Sequence, residues 1–404
     1  MTWWRPRVDG WFLALLGASF FEHAVLGVVR PMMSYRGLEI GLSPAFLGVV
    51  AASFALVPLA VALPLGRLVD RNRVVPYALF GTIAMLAAAL VLVWAKSVPA
   101  LLICSAAFGL AHLAIIVPVQ ALVARASTAD RYDRRYANFG LAAAAGQLVG
   151  PALAGATARD GSSAGISATF VLAAVIAVLA IPFVLGMRGG ERPAGHPARQ
   201  RSDVIPLRSI LRAPGMSAAM LASLTIISAV DVLTVYLPAY GEQVGWSPGV
   251  VGALLAVRAG ASMASRLLLG PVVERFGRGR VLTASMAVSA AGILALAFTG
   301  NMVLGFVLIA VAGMGLGMGQ PLTMASVAAQ ADPSAQATAL TVRLMGNRVG
   351  QVAVPAAAVP MAGVAGAAGV LAMIGLAVAL NTIVILTRGR GSTAGLAEPT
   401  ASRS

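Results

Sequence analysis

The sequence carries the same landmarks twice, at a constant offset of 204 residues. A basic turn, a Ser-Pro pair with a glycine, and a Gly-Gln pair with a proline share this offset: Gly66, Asp70 and Arg71 with Gly270, Glu274 and Arg275; Ser43, Pro44 and Gly48 with Ser247, Pro248 and Gly252; Gly146, Gln147 and Pro151 with Gly350, Gln351 and Pro355. A period this long indicates a duplicated half-protein and not an array of short repeats. In membranes, such duplications are typical of secondary transporters, whose transport path lies at the repeat interface.

Long apolar stretches indicate a membrane protein. The chain is 59% hydrophobic and 11% charged, with a mean hydropathy of +0.88, whereas a soluble chain carries about 25% charged residues. A membrane-spanning helix needs about 20 apolar residues. Twelve stretches are long enough: 11–33, 44–65, 74–95, 98–123, 136–157, 164–187, 215–239, 247–269, 280–299, 302–325, 335–358 and 364–387.

The net charge of +15 is distributed as in a membrane protein and not as in a nucleic-acid-binding protein. Of the 29 basic residues, 21 fall in the termini, the central loop and the loops on the same side, and five fall within helices. The opposite loops hold only Arg36, Lys96 and Arg159. This bias predicts that both termini are cytoplasmic and that the basic loops face anionic lipids. A single lysine among these residues suggests GC-rich bacterial coding, so we expect a bacterial inner-membrane protein.

The spans predict an all-α membrane protein of twelve transmembrane helices in two parallel six-helix repeats. The expected domains are an N-terminal half at 1–187, a cytoplasmic linker at 188–214, and a C-terminal half with a short tail at 215–404. Six is an even number of crossings, so both halves enter the bilayer from the same side and the repeats are parallel.

The sequence offers no catalytic or metal-binding pattern. Cys104 is the only cysteine, so neither an intrachain disulfide nor a cysteine-based metal site is expected. No Ser-His-Asp spacing or Walker loop is present, and alternating glycines at 313–319 do not follow a strand. We therefore expect no enzyme activity and no cofactor. We interpret the glycines as softening their helix for gating, and we expect a monomer.

The two basic turns resemble a signature of the major facilitator superfamily. Both have the spacing of a glycine followed by an acid–arginine pair: Gly66, Asp70 and Arg71 in the first turn, Gly270, Glu274 and Arg275 in the second. The resemblance implies a gate, with Asp70 at the N-terminus of a neighbouring helix near Ser334, where the helix dipole favours an anion. The residues alone leave open a surface pair of Asp70 with Arg71 or Arg73.

A second resemblance lies in the fifth span. Residues 146–155 resemble the antiporter motif of proton-driven exporters of the same family: Gly146, Gly150, Pro151 and Gly155. The family pattern ends Gly-Gly where this chain has Ala154 and Gly155. Many exporters also carry an arginine in the fourth span where this chain has Ser105. The resemblance implies exchange of a substrate for protons.

Charged residues within the spans are functional candidates, because each costs about 2.5–3.5 kcal/mol at membrane depth. Glu22 and Asp231 lie in the repeat-equivalent first and seventh spans, and we expect them to be candidate proton carriers. For Glu22 the alternative is a permanent salt bridge to an arginine. For Asp231 the alternative is a bridge to Arg30 that closes an outer gate.

The remaining polar residues of the spans are candidates for lining a substrate cavity: His23, Arg30, His112, Arg258, Gln320, Arg343 and Arg348. A lone histidine is also compatible with a packing role. Arg258 and one of Arg343 or Arg348 are expected to face water, since the latter two lie about 140° apart on a helix. Arg266 is expected to reach the interface. The excess of arginine over acid favours an anionic substrate.

These observations predict a proton-coupled secondary transporter that exports a small organic molecule by alternating access. Its partners would be the substrate, protons and the bilayer, with no nucleic acid. One alternative is proton-coupled uptake of an organic anion, based on the surplus arginines. The other is a non-transporting membrane receptor with the same fold.

Overall fold

A computed structural model describes residues 9–71, 73–127, 129–191, 215–330 and 336–390. In these residues the regular secondary structure is helical, with short turns between the helices and one 3₁₀ segment, Met187–Gly190, after α6. The α-helices are α1 Gly10–Glu39, α2 Pro44–Arg71, α3 Val75–Trp94, α4 Val98–Ala126, α5 Ala129–Thr157, α6 Ser163–Gly186, α7 Met216–Val244, α8 Pro248–Leu267, α9 Leu269–Phe276, α10 Arg278–Leu296, α11 Met302–Gln330 and α12 Gln336–Arg390.

The predicted all-α membrane fold is confirmed. Eleven stretches of the described chain are long and apolar enough to cross a membrane. The last, Ala339–Thr387, has 49 residues, enough for two crossings at about 20 residues each. It is interrupted at Gly366, whose φ of 63° and ψ of −161° are not helical. The break divides α12 into the two parts that the sequence predicts as separate spans.

Contacts divide the chain into two compact units. The first comprises Met1–Gln200 and Trp246–Ala256, and the second comprises Arg201–Gly245 and Val257–Ser404. The division therefore falls inside α8. Residues 192–214, which include most of the expected linker, lie outside the described residues, as do the expected termini at 1–8 and 391–404.

In the first unit, α2 approaches α4 closely at Gly109. A Cβ on Gly109 would collide with the carbonyl oxygen of Phe54. That carbonyl lacks its usual helical donor because Pro58, four residues later, has no N–H. The freed oxygen therefore lies against the glycine of α4, in the manner of a Cα–H···O contact.

The second unit repeats the glycine contacts of the first at the offset of 204. Gly109 against Phe54 corresponds to Gly313 against the backbone of Arg258. Two further contacts recur with their equivalents: Gly146 on Phe20 and Ala24 with Gly350 on Leu224 and Ser228, and Gly81 on Ala111 with Gly315 on Ser285. The duplication thus preserves these points of close helix contact, although Gly350 meets side chains where Gly146 meets backbone.

The alternating glycines of α11 are packing positions. A Cβ on Gly313 or Gly317 would meet α8, one on Gly315 would meet α10, and one on Gly319 would meet Ile226 of α7. Small residues let helix backbones approach within a membrane. The structure therefore gives these glycines a packing reason, where the sequence suggested a softened helix.

Both ends of α1 are anchored by arginines of the first unit. At one end the buried Arg36 donates to Glu39 Oε2 at 2.8 Å and to Ser167 Oγ of α6 at 2.7 Å. At the other end Arg135 of α5 donates to Asp9 Oδ2 and to the carbonyl oxygen of Ala126. These bonds hold the helix that carries Glu22.

The Gly317 contact can be tested by adding one methyl group. Gly317→Ala places a Cβ at 2.5 Å from the carbonyl oxygen of Ser262, and overpacking of this kind destabilises by about 1–3 kcal/mol. Gly346→Ala is the matched control, since nothing lies within 4 Å of its Cβ position. We expect thermal unfolding in detergent to shift downward for Gly317→Ala and not for Gly346→Ala. Equal shifts would show that the close approach is absent.

Candidate functional site

A buried carboxylate of α1 contacts a histidine of α4. Glu22 Oε1 lies 2.5 Å from His112 Nδ1, and Glu22 is 2% exposed. This contact requires one proton between the two atoms. Either the imidazole N–H donates to a carboxylate, or a carboxylic acid donates to a neutral ring nitrogen. The pair is therefore a site where a proton can reside on either of two helices.

His23 flanks the pair on the other side of Glu22. Its Nδ1 lies 2.9 Å from the carbonyl oxygen of Ser19, to which it donates, and 3.6 Å from Glu22 Oε2. The bond to Ser19 assigns the ring proton to Nδ1 and orients the ring. The rings of His23 and His112 meet edge to face, with centroids 5.9 Å apart. One carboxyl thus lies between two imidazoles.

Phe54 of α2 extends this cluster to Arg30. The Phe54 ring stacks on His112, with centroids 6.2 Å apart and an interplanar angle of 28°. Arg30 Cζ lies over the same ring, 4.7 Å from its centroid. Four predicted candidates, Glu22, His23, Arg30 and His112, are therefore brought together, and the aromatic ring that joins two of them has no polar signal in the sequence.

The glycines of the antiporter-like motif lie where α5 packs closely against neighbouring helices. A Cβ on Gly146 would lie 3.0 Å from His23 Cβ. Gly150 and Pro151 of α5 pack in the same way against Gly27 of α1. Gly155 faces Gly252, in the part of α8 that belongs to the first unit. The motif thus allows close packing, and Gly146 and Gly150 bring the backbone of α5 against α1, the helix that carries Glu22.

In the second unit, Asp231 of α7 is bonded through an amide to an arginine. Gln351 Nε2 donates to Asp231 Oδ2 at 2.6 Å, and Arg348 NH1 donates to Gln351 Oε1 at 3.1 Å. Asp231 is 6% exposed. Gln351 thus links the guanidinium of Arg348 to the buried carboxylate of Asp231 by two hydrogen bonds.

Two more side-chain bonds join α7 to α12. Ser223 Oγ donates to Asn347 Oδ1 at 2.9 Å, and Asn381 Nδ2 donates to Thr225 Oγ1 at 2.8 Å. The repeat-equivalent contact of α1 with α5 relies on glycines instead. The α7 side of the second unit is thus fixed by directional bonds.

Gln320 of α11 is a meeting point for two arginines. Arg266 of α8 donates to Gln320 Oε1 at 2.8 Å and to the carbonyl oxygen of Gly317 at 3.3 Å. That carbonyl is freed by Pro321, which lacks an N–H. Arg343 of α12 reaches the Gln320 carbonyl oxygen at 3.4 Å. Arg266 thus supplies a donor to the carbonyl that Pro321 leaves without its helical partner, and its expected reach to the membrane interface stays a prediction.

The two arginines of α12 face different neighbours, as their angular separation predicts. Arg343 contacts Thr323 Oγ1 of α11 at 3.4 Å, and Arg348 contacts Gln351. Arg258 and Arg343 are 5% and 8% exposed. Neither is open to water in this conformation, which differs from the expectation for Arg258.

The gate-like turns lie at helix ends, and their glycines have open space around them. α2 continues as a helix through Gly66, whose Cβ position has no atom within 4 Å in the described structure. Gly270 is equally open, and Glu274 and Arg275 are exposed on the short α9.

Part of the predicted gate lies outside the described structure. The side chains of Asp70 and Arg71 and the position of Ser334 are not among the described residues. Next to them, Arg125 of α4 donates to the carbonyl oxygen of Val69 at 2.7 Å. Glu191 Oε1 accepts the N–H of Val75 at 2.8 Å. The end of α2 and the start of α3 are thus tied to other helices of the first unit.

Within the described residues, no group of three histidine, cysteine or acidic side chains is arranged to hold a metal ion. The residues that sequence reasoning missed are Phe54, Thr323 and Gln351. Of these, only Gln351 carried a signal, because it belongs to a repeated Gly-Gln-Pro landmark. Its bond to Asp231 depends on the rotation of α12 against α7, which a linear pattern does not contain.

Comparisons with known proteins agree with this architecture. A family model described as Major Facilitator Superfamily matches residues 15–247 and 219–402. No protein among curated sequences matches the chain significantly. Several solved membrane-transporter structures have the same fold at low sequence identity.

The first of these structures is a bacterial homologue of the human lysosomal transporter Spinster, inward-facing and unoccupied. It has a TM-score of 0.75 at 14% identity, covering 98% of this chain and 100% of that one. A mutant of the nucleoside transporter NupG gives 0.73 at 12%, covering 94% and 99%. A POT family transporter in complex with a thioalcohol-conjugated peptide gives 0.75 at 13%, covering 94% and 96%. At these identities the likeness concerns the fold.

The Asp231–Gln351 bond predicts a pH-dependent variant. Gln351→Glu places a second carboxyl at 2.6 Å from the first, so one of them must bind a proton when the protein is folded. The folded state then binds more protons than the unfolded state, and stability falls as pH rises. We expect the thermal midpoint of Gln351→Glu to drop between pH 5 and pH 8 more steeply than that of the wild type. Gln243→Glu, at an exposed position of α7, is the control, and parallel curves for both variants would contradict the contact.

Proposed function

Because this chain belongs to the Major Facilitator Superfamily, we propose that it is a proton-coupled secondary transporter that exports a small organic molecule. Membership implies a multi-pass membrane protein with a small-molecule substrate. The proton coupling, the direction and the bacterial inner-membrane location are our proposals. The proposal is carried by one observation, the 2.5 Å contact between Glu22 and His112.

The pair has the chemistry of a proton carrier. Imidazole changes its charge between about pH 5 and pH 8, whereas an arginine remains charged at all relevant pH values. Glu22 contacts two histidines, and an imidazole can exchange a proton with a carboxyl, as this proposal requires. Loading one proton changes the charge of the pair by one unit within the membrane, where such a change has a large energetic effect.

Coupling requires that the proton and the substrate compete for one state of the carrier. In the proposed cycle, a proton taken up from the outer side loads the Glu22–His112 pair and favours release of substrate outward. The carrier returns inward, and the proton leaves to the cytoplasm as substrate binds. A ligand shifts such an equilibrium only through its differential affinity for the two states.

Alternating access would be supplied by rocking of the two six-helix halves, 1–187 and 215–404, joined by a cytoplasmic linker at 188–214. The gate-like turns are proposed to lock one state. We propose that the protein works as a monomer with both termini in the cytoplasm. The bond that Arg125 donates to Val69 and the bond that the Val75 N–H donates to Glu191 support a turn that moves together with the first half.

Asp231 is assigned a supporting role in this proposal. Its carboxylate accepts from the Gln351 amide, and an amide neither gains nor loses a proton in the physiological range. We therefore place proton exchange at Glu22 and the fixed polar framework at Asp231. The glutamine bond orients α12 relative to α7.

A second candidate function is proton-coupled uptake of an organic anion. The observation that favours it is the convergence of Arg266 and Arg343 on Gln320. Guanidinium groups held in fixed geometry are suited to carboxylates and phosphates. In this account the arginines would bind the anion once the helices of the second unit separate.

Proton-linked export is tested in inverted membrane vesicles that are acidified inside and report the pH gradient by a fluorescent amine. We expect addition of an exported compound to dissipate the gradient in vesicles with the wild type, with ethidium and p-aminohippurate as the cationic and anionic probes. Glu22→Gln should abolish this response, because the amide keeps the shape and carries no proton. Glu242→Gln, at an exposed end of α7, should retain it. Export by Glu22→Gln that still dissipates the gradient would contradict the proposed carrier.

The uptake alternative is tested in vesicles of native orientation with p-aminohippurate as the anionic probe. Symport predicts alkalinisation of the medium when the probe is added, and loss of that signal in Arg343→Gln. Dissipation by ethidium in inverted vesicles, with no response to the anion, would exclude uptake and support export.

A further inference from the structure

The ring of Phe54 in the first unit contacts side chains of two other helices, Arg30 of α1 and His112 of α4. Phe54 stacks on His112 and lies under the guanidinium of Arg30. We infer that Phe54 sets the pH at which the Glu22–His112 pair takes up its proton. We also infer that, through Phe54, the position of Arg30 depends on whether this pair is protonated. This inference rests on the proposed function, in which that pair carries the proton.

The backbone of Phe54 is held in place by two features of the sequence. Pro58 frees the Phe54 carbonyl oxygen, and Gly109 lets that oxygen reach the backbone of α4. His112 lies three residues after Gly109, one turn along the same side of α4. The close approach therefore presents the Phe54 ring to the His112 imidazole and fixes their separation.

Arg30 and Glu22 lie at different levels of α1, and Phe54 approaches this stretch of α1 from a second helix. The two residues are eight positions apart, which corresponds to about 12 Å along a helix axis. Phe54 fills the interval from a second helix, with Arg30 Cζ at 4.7 Å from its centroid and the His112 ring at 6.2 Å. Phe54 thus contacts both groups, so a change in charge at His112 alters the electrostatic environment of the ring that contacts Arg30.

The physical basis is that both cations interact with one aromatic quadrupole. A cation over an aromatic face is attracted to it, and more strongly in a dry environment than in water. The ring stabilises the imidazolium form of His112. The same ring holds Arg30 near, where its positive charge opposes protonation. Protonation of His112 therefore weakens the hold on Arg30, and removal of Arg30 favours protonation.

The charged residues that the helices of the first unit could add to this balance can be named. His23 is a titratable neighbour of the pair. The sequence of α3 and α6 has no charged residue, and α2 and α5 have none from 44 to 66 and from 136 to 157. On α4 the next charged residue is Arg125, thirteen positions from His112 and bonded to Val69.

The second half of the duplication does not contain this device. The residue at the offset of 204 from Phe54 is Arg258, which packs against Gly313 as Phe54 packs against Gly109. The equivalent of His112 is Leu316. The backbone contact is therefore preserved in both halves, while the aromatic platform belongs to the half that carries Glu22.

The inference is tested by histidine NMR on the full-length protein in nanodiscs, which requires no substrate. The chain has three histidines, so ring labelling gives three resonances, assigned with His23→Gln and His112→Gln. The titration midpoint of the His112 resonance is measured in the wild type, Arg30→Gln, Phe54→Leu and the double variant. Phe54→Tyr, which keeps the aromatic face, controls for packing.

We expect Arg30→Gln to raise the His112 midpoint by about half a pH unit, and Phe54→Leu to lower it by a similar amount. In the Phe54→Leu background, Arg30→Gln should shift the midpoint by less than half as much as in the wild type. Phe54→Tyr should behave as the wild type. A merely structural Phe54 would leave the Arg30→Gln shift unchanged.

Two outcomes separate this inference from the proposed function. Additive shifts, or no shift on Arg30→Gln in the wild type, would overturn the role of Phe54 while leaving proton-linked export intact. Non-additive shifts in a protein whose vesicles show no proton-linked transport would support the Phe54 coupling. They would refute the transport role of the pair.

Discussion

The structure depends on how a carboxylate is accommodated inside a membrane. Glu22 is 2% exposed, and an isolated carboxylate at that depth would be strongly disfavoured. Its contacts with His112 and His23 solve this problem with groups that themselves change charge near neutral pH. In the proposed function, the same contacts that stabilise α1 in lipid also let it respond to protons.

That arrangement relies on helices meeting without side chains between them. Gly109 admits the backbone of α2, and Gly146 admits α1 beside His23. In lipid the hydrophobic effect does not drive helices together, so close packing of small residues has to do so. The glycines thus determine the distances within the histidine–carboxylate cluster, even though they have no chemistry of their own.

The two halves of the duplication share their packing contacts but differ in their charged residues. The positions at the offset of 204 from Glu22, Phe54 and His112 are Ile226, Arg258 and Leu316, whereas Asp231 corresponds to Gly27. Each half therefore carries its own polar cluster on a common frame. A carrier that couples two different ligands needs this difference, since identical halves would offer identical sites.

The fold was predictable because apolar length and the repeated landmarks are local features of the sequence. Four of the polar candidates were also predictable as candidates, since a charge or histidine in an apolar span is conspicuous. Their partners were not, because the contact of Phe54 with His112 depends on the close approach of α2 to α4 at Gly109. Likewise the bond of Arg266 to the Gly317 carbonyl, which Pro321 leaves without its helical donor, was not predictable from a linear pattern.

The central claim is that one proton enters and leaves the Glu22–His112 pair as the protein works. It is tested most directly by recording charge displacement after a pH jump, in proteoliposomes on a solid-supported membrane with no transported compound present. The account predicts a transient current for the wild type and for Glu242→Gln, and its loss in both Glu22→Gln and His112→Gln. An undiminished current in Glu22→Gln would contradict the account.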